Sequence, residues 1–290
     1  MTGEEGIPIT TSDGVRLHLR RWRPATQARG VVVLVHGYGE HGGRYEPVAE
    51  FLIEAGFRVV AFDQRGHGRS GGVPAFIEHF DEYLTDLDTV LHLVRTDESS
   101  EVPVILWGQS MGGLAVVRHL QTRPGHVAGA VISAPWLATK RRTPWWKVAL
   151  GKVLLRVAPT TRVRVGLDPE TLTRDPECHR AYRDDPLIHS FVTPGLYWAV
   201  ADAQRLALAD PAGVRGPALV MVPEADEVVD PEATLDFLER ASAPDVETCR
   251  LPGLLHEPHN EPEREEVFAR VRGWLDRHFL AMPFHDPEAP

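Results

Sequence analysis

The segment Val31-Val32-Val33-Leu34-Val35 constrains the fold more than any other stretch of this chain. An unbroken run of β-forming apolar residues offers no polar face to water. Such a strand must be covered on both sides, as the central strands of parallel sheets are. Similar short runs recur at 57–62, 102–107, 130–133, 218–222 and 246–251. Helical periodicity falls between them, at 45–55, 80–95, 111–121, 231–241 and 262–279. Strands alternating with helices predict an α/β fold, a mostly parallel central sheet with helices on both faces. Ahead of it, 8–11 and 15–22 flank Ser12-Asp13-Gly14 and read as an antiparallel hairpin.

The rhythm stops between Leu137 and Leu206. Roughly 70 residues without a convincing strand are too many for a simple loop in a compact domain. Residues 137–206 are therefore expected to be an inserted, largely helical cap on a core made of 1–136 and 207–290. Its first part is electrically uneven. No acidic residue occurs from Val102 to Leu167, whereas Lys140, Arg141, Arg142, Lys147, Lys152, Arg156, Arg162 and Arg164 crowd the second half, with Trp136, Trp145 and Trp146 among them. Cationic and aromatic residues together suit peripheral contact with an anionic membrane surface. A helix mostly buried over a site below it is the alternative.

Whole-chain properties narrow the function classes. The formal net charge of −10 over 290 residues gives no electrostatic support for nucleic-acid binding. No apolar run approaches the roughly 20 residues that cross a bilayer. Met1 to Thr10 carries Glu4 and Glu5 and lacks the order of a secretory signal. Cys178 and Cys249 have neither metal-ligand spacing nor the number for a disulfide framework. A soluble cytoplasmic protein is expected, frayed from Pro283 onward. Nothing in the sequence specifies an oligomeric state.

Chemistry enters where the run Val102–Trp107 meets Gly108-Gln109-Ser110-Met111-Gly112-Gly113 and then a helix. A strand, a sharp turn and a helix around G-x-S-x-G describe a nucleophile elbow. Glycines at the first and fifth positions let backbone segments approach closely, and Ser110 stands exposed at a helix N-terminus that favours negative charge. The plainer reading is a Gly-rich turn in which Ser110 only caps the helix.

A serine hydroxyl needs a histidine to take its proton and a carboxylate to orient that histidine. In elbow enzymes these follow in the order Ser, acid, His, each after a later strand. The run 218–222 leads into Pro223-Glu224-Ala225-Asp226-Glu227-Val228-Val229-Asp230. Asp230 precedes Pro231 and a helical pattern, so it reads as an N-cap. Glu224 and Glu227 flank the turn on longer side chains, which leaves Asp226 as the candidate acid. The run ending at Leu251 leads to His256, the candidate base; its rival His259 lies at the mouth of the last helix, before Asn260, Pro262 and Glu263. The oxyanion donors are expected to be the backbone N–H of Met111, just after the nucleophile, and that of Tyr38, in the loop His36-Gly37-Tyr38-Gly39-Glu40-His41. An aspartate nucleophile, as dehalogenases and epoxide hydrolases use, is absent from the elbow, and no Walker or dinucleotide fingerprint is found.

These segments, together with Arg44-Tyr45, Asp63-Gln64-Arg65-Gly66-His67-Gly68-Arg69-Ser70, Glu224-Ala225-Asp226 and His256 with Asn260-Glu261-Pro262-Glu263, resemble the monoacylglycerol lipase and lysophospholipase branch of the α/β-hydrolases. The match spans nearly the whole chain and is weakest in the cap. The resemblance implies the α/β-hydrolase fold and a serine esterase without metal or organic cofactor, acting on monoacylglycerols or related lipid esters. It also implies that Glu40, Arg44 and His259 hold the substrate head group. An ion pair between Glu40 and Arg44 that only shapes the loop is the competing reading. Two residues depart from the branch: Gln109 stands where histidine is common, and Pro223 where glycine opens the acid loop. A short-chain carboxylesterase, an aminopeptidase of related fold and a silent binding module are the other readings.

Overall fold

The computed structural model describes residues 2–25, 27–97, 102–125, 127–141, 143–241 and 243–279. Arg142 and the tail from Pro283 lie outside the described residues. The expected hairpin is β1 (Thr2–Thr10) with β2 (Arg16–Arg23). Next come β3 (Val31–Val35), β4 (Arg58–Phe62), β5 (Val104–Gln109) and β6 (Gly129–Ser133). After a two-stranded ribbon, β7 (Val163–Arg164) with β8 (Phe191–Val192), the series ends with β9 (Ala218–Pro223) and β10 (Val246–Leu251). The eight strands other than the ribbon form one sheet in the order β1-β2-β4-β3-β5-β6-β9-β10, with the β1–β2 and β2–β4 pairs antiparallel and all later neighbours parallel.

Period-two alternation explains the all-apolar β3. Val31, Val33 and Val35 join the core on one face, while Val32 and Leu34 join the core on the other. All are essentially inaccessible, and each such burial stabilises by about 1.5–3 kcal/mol relative to exposure. On one face lie α1 (Glu46–Glu54) and α8 (Arg264–Phe279), around Trp107 and Trp274. On the other lie α2 (Asp81–Asp97), α3 (Met111–Thr122), α6 (Pro194–Ala209) and α7 (Pro231–Ala241).

Between β6 and α6 the chain carries α4 (Trp145–Val157) and α5 (Pro176–Asp184). No residue of either helix is buried. The β7–β8 ribbon also lies here, where no strand was expected; two-residue strands are too short to leave an alternation signal. Helix α6 behaves differently: Leu196, Ala199, Val200, Ala203 and Ala207 enter the same core as α2 and α3. It begins with Thr193, whose hydroxyl caps the Leu196 N–H and donates to Ala75 O at 2.6 Å. We therefore read α6 as the crossover helix between β6 and β9, and place the end of the cap at 193 rather than 206. Backbone bonds tie this segment to loops of the core, among them Lys140 N to Val228 O at 3.1 Å, Asp230 N to Ala138 O at 3.0 Å, His189 N to Gly39 O at 2.9 Å and Glu257 N to Leu172 O at 2.7 Å.

Candidate active site

Strand register brings the candidate groups to one edge. Val35 pairs with Gly108, Gln109 with Ser133, Ser133 with Met221, and Leu251 with Pro223. The loops after β3, β5, β9 and β10 consequently leave the sheet side by side, carrying Tyr38, Ser110, Asp226 and His256.

Ser110 has φ 54° and ψ −113°, a conformation costing an ordinary residue on the order of 1–3 kcal/mol. The surrounding backbone enforces it. Ser110 N donates to Ser133 O at 3.0 Å, and Ser110 O accepts from Leu114 N and Trp136 N at 2.9 and 3.0 Å. A Cβ on Gly112 would lie 2.0 Å from Val35 O, and one on Gly108 would lie 2.5 Å from Gly112 O. These contacts are why the turn needs glycine at both positions. The Ser110 side chain makes no capping bond to α3, so the plain N-cap reading finds no support.

Asp226 and His256 meet 30 residues apart in sequence: His256 Nδ1 lies 2.7 Å from Asp226 Oδ2, and both are buried. The other carboxylate oxygen, Oδ1, accepts the Val228 and Val229 N–H groups at 2.7 and 3.0 Å, which leaves Oδ2 for the imidazole. Burial alone would depress the His256 pKa. The Asp226 charge and hydrogen bond outweigh it, Glu257 and Glu40 add to them, and the pKa is raised above the ordinary 6.5. The rival acids are occupied elsewhere. Glu224 pairs with Arg250, Glu227 faces solvent, and Asp230 accepts from Glu232 N at 3.3 Å as the cap of α7.

Gln109, the residue that departs from the branch, has a definite task. Its buried carboxamide donates to His256 O at 2.8 Å, tying the histidine loop to the residue before Ser110. At the base of the Tyr38 loop, His36 Nδ1–H donates to Gly37 O at 2.7 Å and Nε2 accepts from Gln64 N at 2.8 Å. Burial lowers its pKa and keeps it neutral, as this pair of roles requires. Arg65 is held by Asp86 through two bonds of 2.7 and 2.6 Å and by Asp13 and Glu82.

Glu40, Arg44 and His259 do come together, but engaged with one another and with their neighbours. Glu40 Oε1 accepts from Gly37 N at 2.6 Å and Tyr45 OH at 2.7 Å, and its other oxygen pairs with Arg44. Arg44 also makes two bonds of 2.8 Å to Glu257 and lies 5.1 Å from the centre of the Tyr182 ring. His259, fully buried, stacks on Tyr45 at 5.1 Å. This geometry fits the loop-shaping ion pair better than a head-group site for Glu40 and Arg44, whose charged atoms already pair with each other and with Glu257, whereas His259 Nδ1 is buried without a hydrogen-bond partner. Asn260 turns its amide to Glu257 at 2.7 Å, and α8 begins only at Arg264. Sequence reasoning missed Glu257 altogether. Its partner is 213 residues away, and no local pattern marks it.

Comparison with known proteins identifies the family. The family model described as serine aminopeptidase, S33, matches residues 26–263. A monoacylglycerol lipase of Mycolicibacterium smegmatis is 36% identical over 91% of this chain and 94% of its own. A monoglyceride lipase of Homo sapiens is 30% identical over 93% and 89%. The crystal structure of Paleococcus ferrophilus monoacylglycerol lipase superposes with a TM-score of 0.81 at 37% identity, covering 90% of this chain and 99% of that one. The chain thus belongs to the serine aminopeptidase S33 family of α/β-hydrolases, in the branch that holds the monoacylglycerol lipases.

Proposed function

We propose that this protein is a serine hydrolase that cleaves carboxylic esters of lipids, with monoacylglycerol, split to glycerol and fatty acid, as its substrate. The observation that carries the reading is the buried 2.7 Å pair of Asp226 and His256, fastened to Gln109, the residue preceding the strained Ser110. His256 takes the Ser110 proton as Oγ attacks the ester carbonyl. The N–H groups of Tyr38 and Met111 receive the negative charge that develops on oxygen. The alcohol leaves with the proton from His256, and water then clears the acyl-serine by the same route, with Asp226 holding the imidazole in the productive tautomer.

The cap supports a lipid substrate. Helix α4 buries none of its residues, and Trp145 (81% exposed), Trp146, Leu150, Val153 and Val157 stand in solvent beside Lys147, Lys152 and Arg156. An apolar surface studded with cations suits peripheral docking on an anionic membrane from which lipid is taken. Among the described residues no helix is long and apolar enough to cross a membrane.

The test is release of glycerol and fatty acid from monoacylglycerols of graded chain length, with Ser110→Ala alongside. Turnover that peaks at a medium or long chain and vanishes in the variant is expected. Cleavage of short esters only would make the protein a carboxylesterase. Cleavage of aminoacyl anilides in preference to esters would move it to the peptidase named in the family description.

A further inference from the structure

The Glu40–Arg44–Glu257 cluster joins two loops that the reaction needs in register. Glu257 directly follows His256 and is buried. Its carboxylate receives Arg44 Nη1 on Oε1 and Nη2 on Oε2, both at 2.8 Å, in a two-point pairing that fixes direction as well as distance. Asn260 holds Oε2 from the other side at 2.7 Å. Arg44 in turn pairs with Glu40, and Glu40 Oε1 accepts the Gly37 N–H at 2.6 Å, one residue before Tyr38. A continuous path of charged bonds therefore runs from the loop of Tyr38 to the segment of His256.

We propose that Glu257 is a positioning residue, which through Arg44 and Glu40 locks the catalytic histidine to the loop that supplies the Tyr38 oxyanion donor. The proposal rests on the assignment of Ser110, His256 and Tyr38 given above. The base and one oxyanion donor must be set relative to the same ester carbon, and a 1 Å misplacement costs roughly 100-fold in rate. Gln109 sets His256 relative to Ser110, and the Glu257 strut sets it relative to Tyr38. The strut also has an electrical consequence. One arginine between two carboxylates leaves a net negative charge near the imidazole, which favours the imidazolium formed as Ser110 attacks.

The groups that bear on His256 are Asp226 after β9, Glu40 and Arg44 after β3, and Glu257 and His259 from its own segment. Among these, Arg44 holds Glu257 ionised: burial works against the charge, but the guanidinium brings its pKa down to about 2. Glu257 therefore stays charged across any assay range, and removing that charge must act through His256.

The experiment compares Glu257→Gln and Glu257→Asp with the wild-type chain. It reads kcat and KM on a soluble medium-chain ester, the pH profile of kcat/KM, and the rate at which a fluorophosphonate labels Ser110. Labelling needs no knowledge of the natural substrate, so it separates the two readings. A wild-type protein that labels but cleaves no lipid ester would refute the substrate and leave the strut open to test. For Glu257→Gln the expectation is a 10- to 100-fold loss in kcat and in labelling rate, KM within twofold, and an acid limb moved to lower pH. Glu257→Asp keeps the charge but shortens the reach, so the rate should fall at least fivefold while the acid limb stays in place. Folded Glu257→Gln with wild-type kcat and an unmoved limb would overturn the proposal. So would a raised KM with unchanged kcat, which would assign the cluster to head-group binding. Should Glu257→Gln fail to fold, wild-type rates in Glu257→Asp would overturn it equally.

Discussion

Asp226 divides its carboxylate between structure and chemistry: Oδ1 is spent on the N–H groups of Val228 and Val229, and Oδ2 faces His256 Nδ1 at 2.7 Å. The division makes a specific pH prediction. In the proposed mechanism His256 works as a base only when neutral, and its pKa is raised above 6.5, so activity should rise with pH through that raised value. Asp226→Asn removes the dominant charge that raises it. The acid limb should therefore move to lower pH, while kcat falls about 10⁴-fold because the tautomer is no longer held. A pH–rate profile of the variant checks both; an unmoved limb would mean that another group sets it.

Ser110 carries a conformational cost that the proposed reaction, rather than the fold, accounts for. Ser110→Ala should be inactive and remain folded, with the strain still present. Ser110→Gly relieves φ 54° and should be more stable than Ser110→Ala by about 1 kcal/mol. Calorimetry on the pair settles it, and equal melting temperatures would mean that the backbone relaxes when the hydroxyl is lost.

Gln109→Leu keeps the volume but removes the donor to His256 O. A buried carbonyl left without a partner costs about 1–3 kcal/mol. Since that bond also locates the histidine loop, kcat should drop about 10- to 100-fold. Chemical denaturation and steady-state kinetics measure the two effects separately. Loss of stability without loss of rate would confine Gln109 to a scaffolding role.

Acid should destabilise this protein sooner than its carboxylates alone require. Burial lowers His259 and His189 to about 4 and moves His36 and His67 in the same direction. In the unfolded chain these groups titrate near 6.5. Between 6.5 and 4 the unfolded state binds the extra protons, so stability falls as pH falls through that window and is fully present above it. His256, raised instead, works the other way: its contribution is present below 6.5 and is lost as pH rises through its folded pKa. Melting temperature against pH should fall from 6.5 to 4, and His189→Gln should flatten part of the slope.

The docking surface proposed for α4 is open to a direct measurement. Trp145→Ser with Trp146→Ser should cut partitioning onto vesicles containing anionic lipid by at least tenfold, with turnover of a soluble short ester unchanged. Added salt should weaken wild-type binding, through Lys147, Lys152 and Arg156. Equal partitioning of variant and wild type would remove α4 as the docking face.

What the sequence discloses follows from how local each signal is. β3 and β5 are visible because unbroken apolar runs have few alternatives, and the elbow because its glycines are required within five positions. Asp230 and its helix are legible for the same reason, since a cap acts over two or three residues. The ties that hold the site together are another matter. Gln109 reaches His256 across 147 residues and Arg44 reaches Glu257 across 213, and neither end bears a local mark of its partner. The place of α6 is not legible either, because it carries small apolar residues such as Ala199, Ala203 and Ala207, whose burial shows only once α3 lies beneath them.

The cap departs from the sheet after β6 and rejoins it through α6, which leads straight to β9, the strand already hydrogen-bonded to β6. Deleting or exchanging 137–193 would leave every neighbour in the eight-stranded sheet as it is. The insertion is thus a graftable cassette: ligand entry can be rewritten by evolution or by design without renegotiating the chemistry underneath. Main-chain stitches travel with any such graft, among them those from residues 138 and 140 to the loop after β9, from residue 189 to Gly39 and from residue 172 to Glu257. These main-chain bonds ask only for a backbone path, whereas Asp185 on His41, Thr173 on Asn260 and Arg174 on Glu261 are side-chain ties that a foreign sequence would have to reproduce or forgo.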